Sequence, residues 1–177
     1  MYDVFKSEGD VIVLVEGSPG IGKTTFCLKI AYDWAHDRIP KEFSFPQFEI
    51  VLLLKCRDIV GDLLKAITEQ LLPKDTYECF REKLMEFIKD FHFQPKVLII
   101  LDGLDELPKV SESYVDDLLR KKVLRFCYVL ATTRQERGIA VRQKVNFDML
   151  LQIEGFTRKD AFDYIRKYFN SAGSEHV

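Results

Sequence analysis

The sequence predicts an α/β fold, a three-layer sandwich in which a parallel sheet of five strands lies between helices on both faces. Two observations carry this prediction. Short aliphatic runs alternate along the chain with segments whose apolar residues recur at helical spacing, a pattern typical of parallel strands buried on both faces. A glycine-rich turn also joins the first aliphatic run to the first helical segment.

The elements follow from these runs in chain order. Strands are predicted at 11–16, 48–56, 97–102, 125–134 and 149–153. Helices are predicted at 23–36, from an Asp58 cap through a stripe of Leu63, Ile67 and Leu71 to Pro73, at 77–91, at 114–121, and from 157 to about 169. The 77–91 helix carries Phe80, Leu84, Phe87 and Phe91 at helical spacing, which predicts that these side chains and Trp34 lie in the core.

Composition limits the class of function. The chain has 177 residues, 47% of them hydrophobic, and a formal net charge of −2. Mixed charges argue against a bulk electrostatic grip on nucleic acid or an anionic membrane, and no apolar run reaches the length of a membrane span. We therefore expect a cytoplasmic protein with neither nucleic-acid nor membrane partners.

The cysteines and histidines do not predict a metal site. Cys27, Cys56, Cys79 and Cys127 are scattered through apolar segments without CxxC spacing, and the three histidines form no HExxH arrangement. The pattern predicts buried, reduced thiols of an intracellular protein and no dedicated zinc site.

The turn after the first strand matches the phosphate-binding pattern GxxxxGK[ST] and lies between a predicted strand and a predicted helix. Its backbone N–H groups and the positive helix end are suited to an anion. Lys23 suits the β- and γ-phosphates, the Thr24 hydroxyl suits Mg²⁺, and Thr25 can reach a further phosphate oxygen. The predicted nucleotide-binding residues are Gly17, Ser18, Pro19, Gly20, Ile21, Gly22, Lys23, Thr24 and Thr25.

Acidic residues follow the third predicted strand in the sequence "VLIILDGLDEL". Asp102 stands where the strand leaves the sheet, at the edge where ligands bind in open α/β sheets, and a carboxylate there is a candidate Mg²⁺ ligand. Asp105 and Glu106 follow within one turn. Glu106 is the favoured candidate to activate a water molecule, while Asp105 remains an alternative base, an indirect metal ligand or a structural cap.

The fourth predicted strand ends in "LATTR", which brings Thr132, Thr133 and Arg134 to the same edge. Arg134 is a fixed positive charge that could touch a γ-phosphate and report its presence. Arg57, after the second strand, is interpreted as a loop or helix contact rather than a ligand.

Together, "EGSPGIGKTT", "LIILDGLDEL", "ATTR" and "IEGFTRKDAFDYI" resemble the NACHT family, the nucleotide-binding module of NOD-like receptors in the STAND class of P-loop NTPases. The resemblance implies a P-loop NTPase sheet of strand order 5-1-4-3-2. It also implies ADP in a closed resting state, exchange for ATP with Mg²⁺, and homo-oligomerisation through NACHT domains in the intact protein.

The resemblance divides the chain into a nucleotide-binding domain at 1–154 and the start of an incomplete helical subdomain at 155–177. The adaptor, winged-helix and sensor domains of the family are expected to be absent from this chain.

Several functions remain open from the sequence. A regulatory switch with slow ATP hydrolysis is favoured over an actively cycling ATPase, because neither an arginine supplied by a second chain nor a complete helical lid is evident. A GTPase is disfavoured because no NKxD sequence is present to read guanine. A nucleotide or small-molecule kinase is disfavoured because no second substrate site is visible.

Overall fold

The computed structural model of the chain describes residues 2–5, 11–43, 45–155 and 157–172. Phe156 of the last motif and residues 173–177 of the predicted helical subdomain lie outside the described residues. Residues 1, 6–10 and 44 of the predicted nucleotide-binding domain lie outside them as well.

Strands and helices alternate in the described residues, with short 3₁₀ turns between them, and the helix between the fourth and fifth strands was not predicted. The strands are β1 (Ile12–Gly17), β2 (Ile50–Lys55), β3 (Val97–Asp102), β4 (Tyr128–Thr133) and β5 (Met149–Ile153). The α-helices are α1 (Lys23–Ala35), α2 (Leu63–Leu71), α3 (Glu78–Lys89), α4 (Glu112–Leu119), α5 (Gln135–Arg142) and α6 (Arg158–Ala172).

The strands form one parallel sheet in the order β2-β3-β4-β1-β5. This is the predicted order 5-1-4-3-2 read from the opposite edge, so the predicted topology is confirmed. Residues of β4 and nearly all of β3 are buried, whereas β5 alternates between partly buried and exposed residues. The difference follows from position, because β5 is at an edge of the sheet whereas β3 and β4 each pair with a strand on both sides.

Each face of the sheet has its own apolar core. Along β3, Ile99 packs in a cluster with Ile67 of α2 and Leu118 of α4, whereas Ile100 packs on the other face with Ile30 of α1. Successive side chains of a strand point to opposite faces, so an unbroken aliphatic run supplies both layers. Each buried Leu or Ile stabilises the fold by about 1.5–3 kcal/mol.

The predicted cap of α2 is wrong. Asp62, not Asp58, precedes the helix, and its Oδ1 accepts the backbone N–H groups of Leu64 at 2.7 Å and Lys65 at 3.2 Å. Asp58 instead belongs to a separate 3₁₀ turn, Cys56–Asp58. A cap has to stand directly before the first helical residue to reach the free N–H groups, and Asp58 is too far upstream.

The prediction of uniformly buried aromatic residues is also wrong. Phe80 and Phe91, the first and last residues of the predicted apolar stripe, are exposed. Phe91 also lies beyond the end of α3 at Lys89. Trp34 is half-buried, and its indole Nε1 donates a hydrogen bond to the Phe48 carbonyl at 2.9 Å. Cys79 is exposed, unlike the three other cysteines, which are buried as predicted.

The last helix begins as predicted. The Asp160 backbone N–H donates to the Thr157 hydroxyl oxygen, and the Thr157 N–H donates to Asp160 Oδ2, each at 3.2 Å. These reciprocal bonds confirm the capping box. Phe162, Ile165 and Phe169 of α6 are exposed. None of the helices in the described parts of the chain combines the length and apolar composition needed to span a bilayer.

Candidate functional site

A cleft of about 440 Å³ lies at the carboxyl edge of the sheet, where the ends of β2, β3 and β4 approach the β1–α1 turn. It brings together most residues predicted for the site. Those that line it are Pro19, Gly20, Gly22, Lys23, Thr24, Thr25, Asp102, Asp105, Glu106 and Arg134. The predicted residues Gly17, Ser18 and Ile21 belong to the same turn but do not line the cleft.

The backbone between β1 and α1 requires glycine at two positions, one for its conformation and one for lack of space. Gly22 has φ 107°, a left-handed conformation that side chains disfavour, and a Cβ on Gly17 would lie 2.8 Å from Cγ2 of Ile21. Gly22 is also the residue before α1, and it offers no side chain to cap that helix. The first N–H groups of α1 are therefore available to a ligand, in contrast to those of α2, which Asp62 caps.

Lys23 lies over this turn. Its Nζ donates hydrogen bonds to the carbonyl oxygens of Gly17 at 2.9 Å and Ser18 at 3.0 Å. These bonds hold the ammonium against the turn that leads into α1, and Lys23 lines the same cleft as Thr24 and Thr25 at the start of that helix. Such an arrangement suits a chain of phosphates.

Asp102, on the opposite side of the cleft, is held by a short buried network. The Thr132 hydroxyl donates to Asp102 Oδ1 at 2.9 Å, and the Gly103 backbone N–H donates to the same hydroxyl at 2.9 Å. Thr132 is fully buried. The sequence predicted Thr132 at this edge but indicated no role for it, and the pairing of β3 with β4 brings it to Asp102.

Two buried thiols lie near this carboxylate. Burial raises the pKa of the Cys27 thiol far above its ordinary value, and the charge of Asp102 raises it further. The same causes raise the pKa of Cys56. Both thiols therefore stay protonated at neutral pH and behave as small apolar side chains rather than as nucleophiles.

Asp105 and Glu106, which the sequence could not separate by role, have different surroundings. Asp105 forms an ion pair with Arg134, with 2.8 Å between Oδ2 and Nε. Glu106 is exposed, and within the described ranges its carboxylate has neither a hydrogen bond nor an ion pair. Glu106 therefore remains the acid that is free to contact a ligand or water.

Two basic residues line the cleft although the sequence did not predict them as ligands. Both line it from the end of β2: Lys55, which the sequence did not single out, and Arg57, which the sequence indicated to be a loop or helix contact rather than a ligand. Arg57 is mostly exposed, and its Nε lies 3.9 Å from Oδ2 of Asp58 in a long ion pair. β2 lies next to β3 in the sheet, although two helices separate the two strands in the sequence, and this pairing brings the end of β2 to the cleft.

The donor set fits Mg²⁺ in company with phosphate. Among the described residues, no group of three or more carboxylate, imidazole or thiol side chains is arranged to hold a metal ion by itself. Thr24 and Asp102 line one cleft and offer two oxygens. Mg²⁺ is commonly held by one or two protein groups with substrate phosphates and water supplying the rest, which agrees with this arrangement.

Comparisons with known proteins agree with the motifs. The sequence profile of the NACHT domain matches residues 11–172. Human NACHT, LRR and PYD domains-containing protein 10 is 30% identical over 89% of this chain and 25% of its own length. NACHT, LRR and PYD domains-containing protein 3 of Rattus norvegicus is 23% identical over 90% of this chain. The human MHC class II transactivator is 29% identical over 93% of this chain.

The chain spans between 16% and 25% of the length of these curated relatives. The matches confirm the resemblance to a NACHT domain of the NOD-like receptor type.

Solved structures agree on the fold. Two point mutants of RuvB from Thermotoga maritima superpose with a TM-score of 0.51 each, at 15% and 16% identity. The superpositions cover 89% and 93% of this chain, and 42% and 44% of the RuvB chains. At this identity the likeness establishes the fold alone, and it confirms the predicted α/β fold of P-loop NTPases.

Proposed function

The chain belongs to the NACHT domain family, and we propose that it is the Mg-ATP- and Mg-ADP-binding switch module of a NOD-like receptor signalling protein. One observation carries the proposal. The glycine-rich turn with Lys23 faces the acid and arginine ends of β3 and β4 across a single cleft. The cleft therefore offers hydrogen-bond donors for phosphate oxygens on one side. On the other side it offers acidic and arginine side chains that can bind a metal ion or a phosphate.

The turn side holds the phosphates in this proposal. Backbone N–H groups of the turn and of the start of α1 bind phosphate oxygens, and Lys23 exchanges its carbonyl partners for the β- and γ-phosphates. The Thr24 hydroxyl and Asp102 hold Mg²⁺, which neutralises charge on the phosphates when bound. Thr132 fixes the Asp102 carboxylate through its 2.9 Å hydrogen bond.

The acid side distinguishes ATP from ADP. Arg134 lines the cleft and contacts the γ-phosphate, which only ATP carries. Glu106 orients the attacking water and accepts its proton.

Slow hydrolysis is proposed because the Glu106 carboxylate has no orienting hydrogen bond or ion pair within the described residues. A general base that is not held in place contributes less than one that is fixed.

Adenine is preferred over guanine because the chain has no NKxD sequence. In an intact protein, we propose that exchange of ADP for ATP promotes homo-oligomerisation through NACHT domains in the cytoplasm, as part of innate immune signalling. The names of the relatives support this setting, since they combine the NACHT domain with LRR and PYD domains.

The test is to identify the nucleotide that copurifies with the chain and to measure steady-state phosphate release. We expect bound adenine nucleotide and ATP turnover well below about 1 s⁻¹, the low end for ordinary enzymes. Turnover of many ATP molecules per second would favour the alternative, an actively cycling ATPase. Tighter binding of GDP than ADP would favour a GTPase.

A further inference from the structure

The contact between Asp105 and Arg134 uses both oxygens of the carboxylate. Oδ2 lies 2.8 Å from Nε of the Arg134 guanidinium, and Oδ1 accepts the Arg134 backbone N–H at 3.2 Å. One residue therefore holds both the side chain and the main chain of the arginine. The Asp105 side chain is 13% exposed, whereas that of Arg134 is 48% exposed.

The two partners stand on rigid supports. Asp105 lies in the 3₁₀ turn Leu104–Glu106, which the Glu106 N–H closes by donating to the Gly103 carbonyl at 2.9 Å. Gly103 is tied to β4 by its bond to the Thr132 hydroxyl. Arg134 directly precedes α5, and the Gly138 N–H donates to its carbonyl at 2.9 Å. The pair thus links the ends of two neighbouring strands.

The contact leaves part of the guanidinium available. Only Nε is engaged by Asp105, and Nη1 and Nη2 of Arg134 have no protein partner in the described parts of the chain. A guanidinium carries five N–H donors, so the ion pair at Nε leaves the N–H groups of Nη1 and Nη2 available to a ligand. Arg134 lines the cleft that the phosphate turn also lines.

We infer that Asp105 is a positioning residue that holds Arg134 ready for the third phosphate and so makes the site prefer a nucleoside triphosphate over a diphosphate. The inference rests on the proposed nucleotide-binding function. Its physical basis is that ordering a long side chain before binding removes that cost from the binding step. ADP has no group at the position that Arg134 reads, so it gains nothing from the arrangement.

Two other roles for Asp105 fit the geometry less well. A general base needs a free oxygen facing the water, and both oxygens of Asp105 already accept contacts from Arg134. A direct metal ligand needs an oxygen that is free to face the ion, and both oxygens of Asp105 already contact Arg134. Positioning Arg134 is the role that uses both contacts.

The test compares dissociation constants for AMP-PNP, a triphosphate analogue that resists hydrolysis, and for ADP, each with Mg²⁺, by calorimetry. Asp105→Asn should weaken AMP-PNP binding about two- to tenfold, the range that corresponds to ordering one long side chain. ADP binding should not change. Asp105→Glu, which keeps the charge but moves the acceptor by one methylene, should reduce the same preference and serves if the first variant does not fold.

Glu112→Gln is the matched control. It removes another acid–arginine pair, Glu112 Oε1 to Arg137 Nη2 at 2.6 Å, from residues that do not line the cleft. The ratio of AMP-PNP to ADP affinity should stay at the wild-type value in this variant. Melting temperatures measured without nucleotide establish that each variant is folded.

A double-mutant cycle separates positioning from an independent effect. Arg134→Ala should also lower the preference for AMP-PNP, and adding Asp105→Asn to it should change nothing further. Additive losses would overturn the inference, as would equal weakening of AMP-PNP and ADP by Asp105→Asn. Unchanged AMP-PNP affinity with lost hydrolysis would also overturn it, since that outcome assigns Asp105 as the base.

The proposed function fails separately. Wild-type protein that binds neither nucleotide would overturn that function together with the inference. Wild-type protein that binds both nucleotides, with Arg134→Ala and Asp105→Asn leaving the affinity ratio intact, would overturn the inference alone.

Discussion

The two sides of the cleft are built differently. The phosphate side is one continuous segment, Gly17 to Thr25, and its N–H groups at the start of α1 have no side-chain cap. The acid side comes from two strands whose contacting residues, Asp102 and Thr132, are 30 positions apart. There the polar groups already bind one another, in the Thr132–Asp102 hydrogen bond and the Asp105–Arg134 ion pair.

This difference suggests that the two sides of the cleft have different roles in binding a nucleotide. Unpaired donors on the phosphate side can bind any polyphosphate, because backbone N–H groups do not distinguish ATP from ADP. Pre-formed contacts on the acid side orient Asp102 and Arg134 before a ligand arrives, so these two groups can respond to a metal ion or to a third phosphate. Substitutions on the two sides should therefore have different effects.

The largest effect is expected on the acid side and on rate alone. Glu106→Gln keeps a hydrogen-bonding group but cannot accept a proton, so ATP hydrolysis should fall by up to about 10²–10⁴-fold. Nucleotide affinity should change little, since the turn and Mg²⁺ carry it. Single-turnover hydrolysis and calorimetry measure the two quantities. Unchanged hydrolysis would remove Glu106 from the chemistry.

On the phosphate side, Lys23→Ala should weaken ATP and ADP alike. Loss of a charge-assisted contact corresponds to about 1.5–3 kcal/mol, or roughly ten- to hundredfold in affinity. Lys65→Ala, on the exposed surface of α2, is the control and should bind as the wild type. If the Lys23 variant is folded by circular dichroism and binds normally, Lys23 does not contact the phosphates.

A smaller, metal-dependent effect is expected for Asp102→Asn. Asparagine can still accept the Thr132 hydrogen bond but offers Mg²⁺ a neutral ligand. The gain in ATP affinity on adding Mg²⁺ should shrink, by up to about tenfold, because neutral contacts are roughly half as strong as charge-assisted ones. Binding in EDTA should equal that of the wild type. Equal Mg²⁺ dependence in the two proteins would contradict a metal role for Asp102.

The same difference explains what the sequence could predict. The phosphate side is contiguous, so a motif of eight residues, Gly17 to Thr24, predicts the whole turn. The strand ends at Asp102 and Arg134 were also identified, because each follows an aliphatic run. Their contacts were not, since the strand order implied by the resemblance makes β3 and β4 neighbours but does not specify which side chains at their ends pair, as Asp105 does with Arg134.

Arg57 and the aromatic residues show two other limits. Arg57 reaches the cleft because β2 lies next to β3 in the sheet, which the spacing of residues does not reveal. Phe91 lies beyond the end of α3, so a periodicity that continues in the sequence stops in the structure. Helix ends and tertiary neighbours decide such cases, and local pattern alone does not encode them.

Nucleotide-dependent thermal stability tests most directly whether the cleft binds nucleotide. A ligand at one hundred times its dissociation constant adds about 2.7 kcal/mol, and each kcal/mol raises the melting temperature by about 2–4 °C in a domain of this size. With Mg²⁺ and ATP or ADP at that concentration we predict a rise of about 5–10 °C. In Lys23→Ala the same nucleotide concentration is only about one to ten times the dissociation constant, so the rise should fall to about 1–6 °C. Superimposable wild-type melting curves from nucleotide-free buffer through millimolar ATP would contradict nucleotide binding in this cleft.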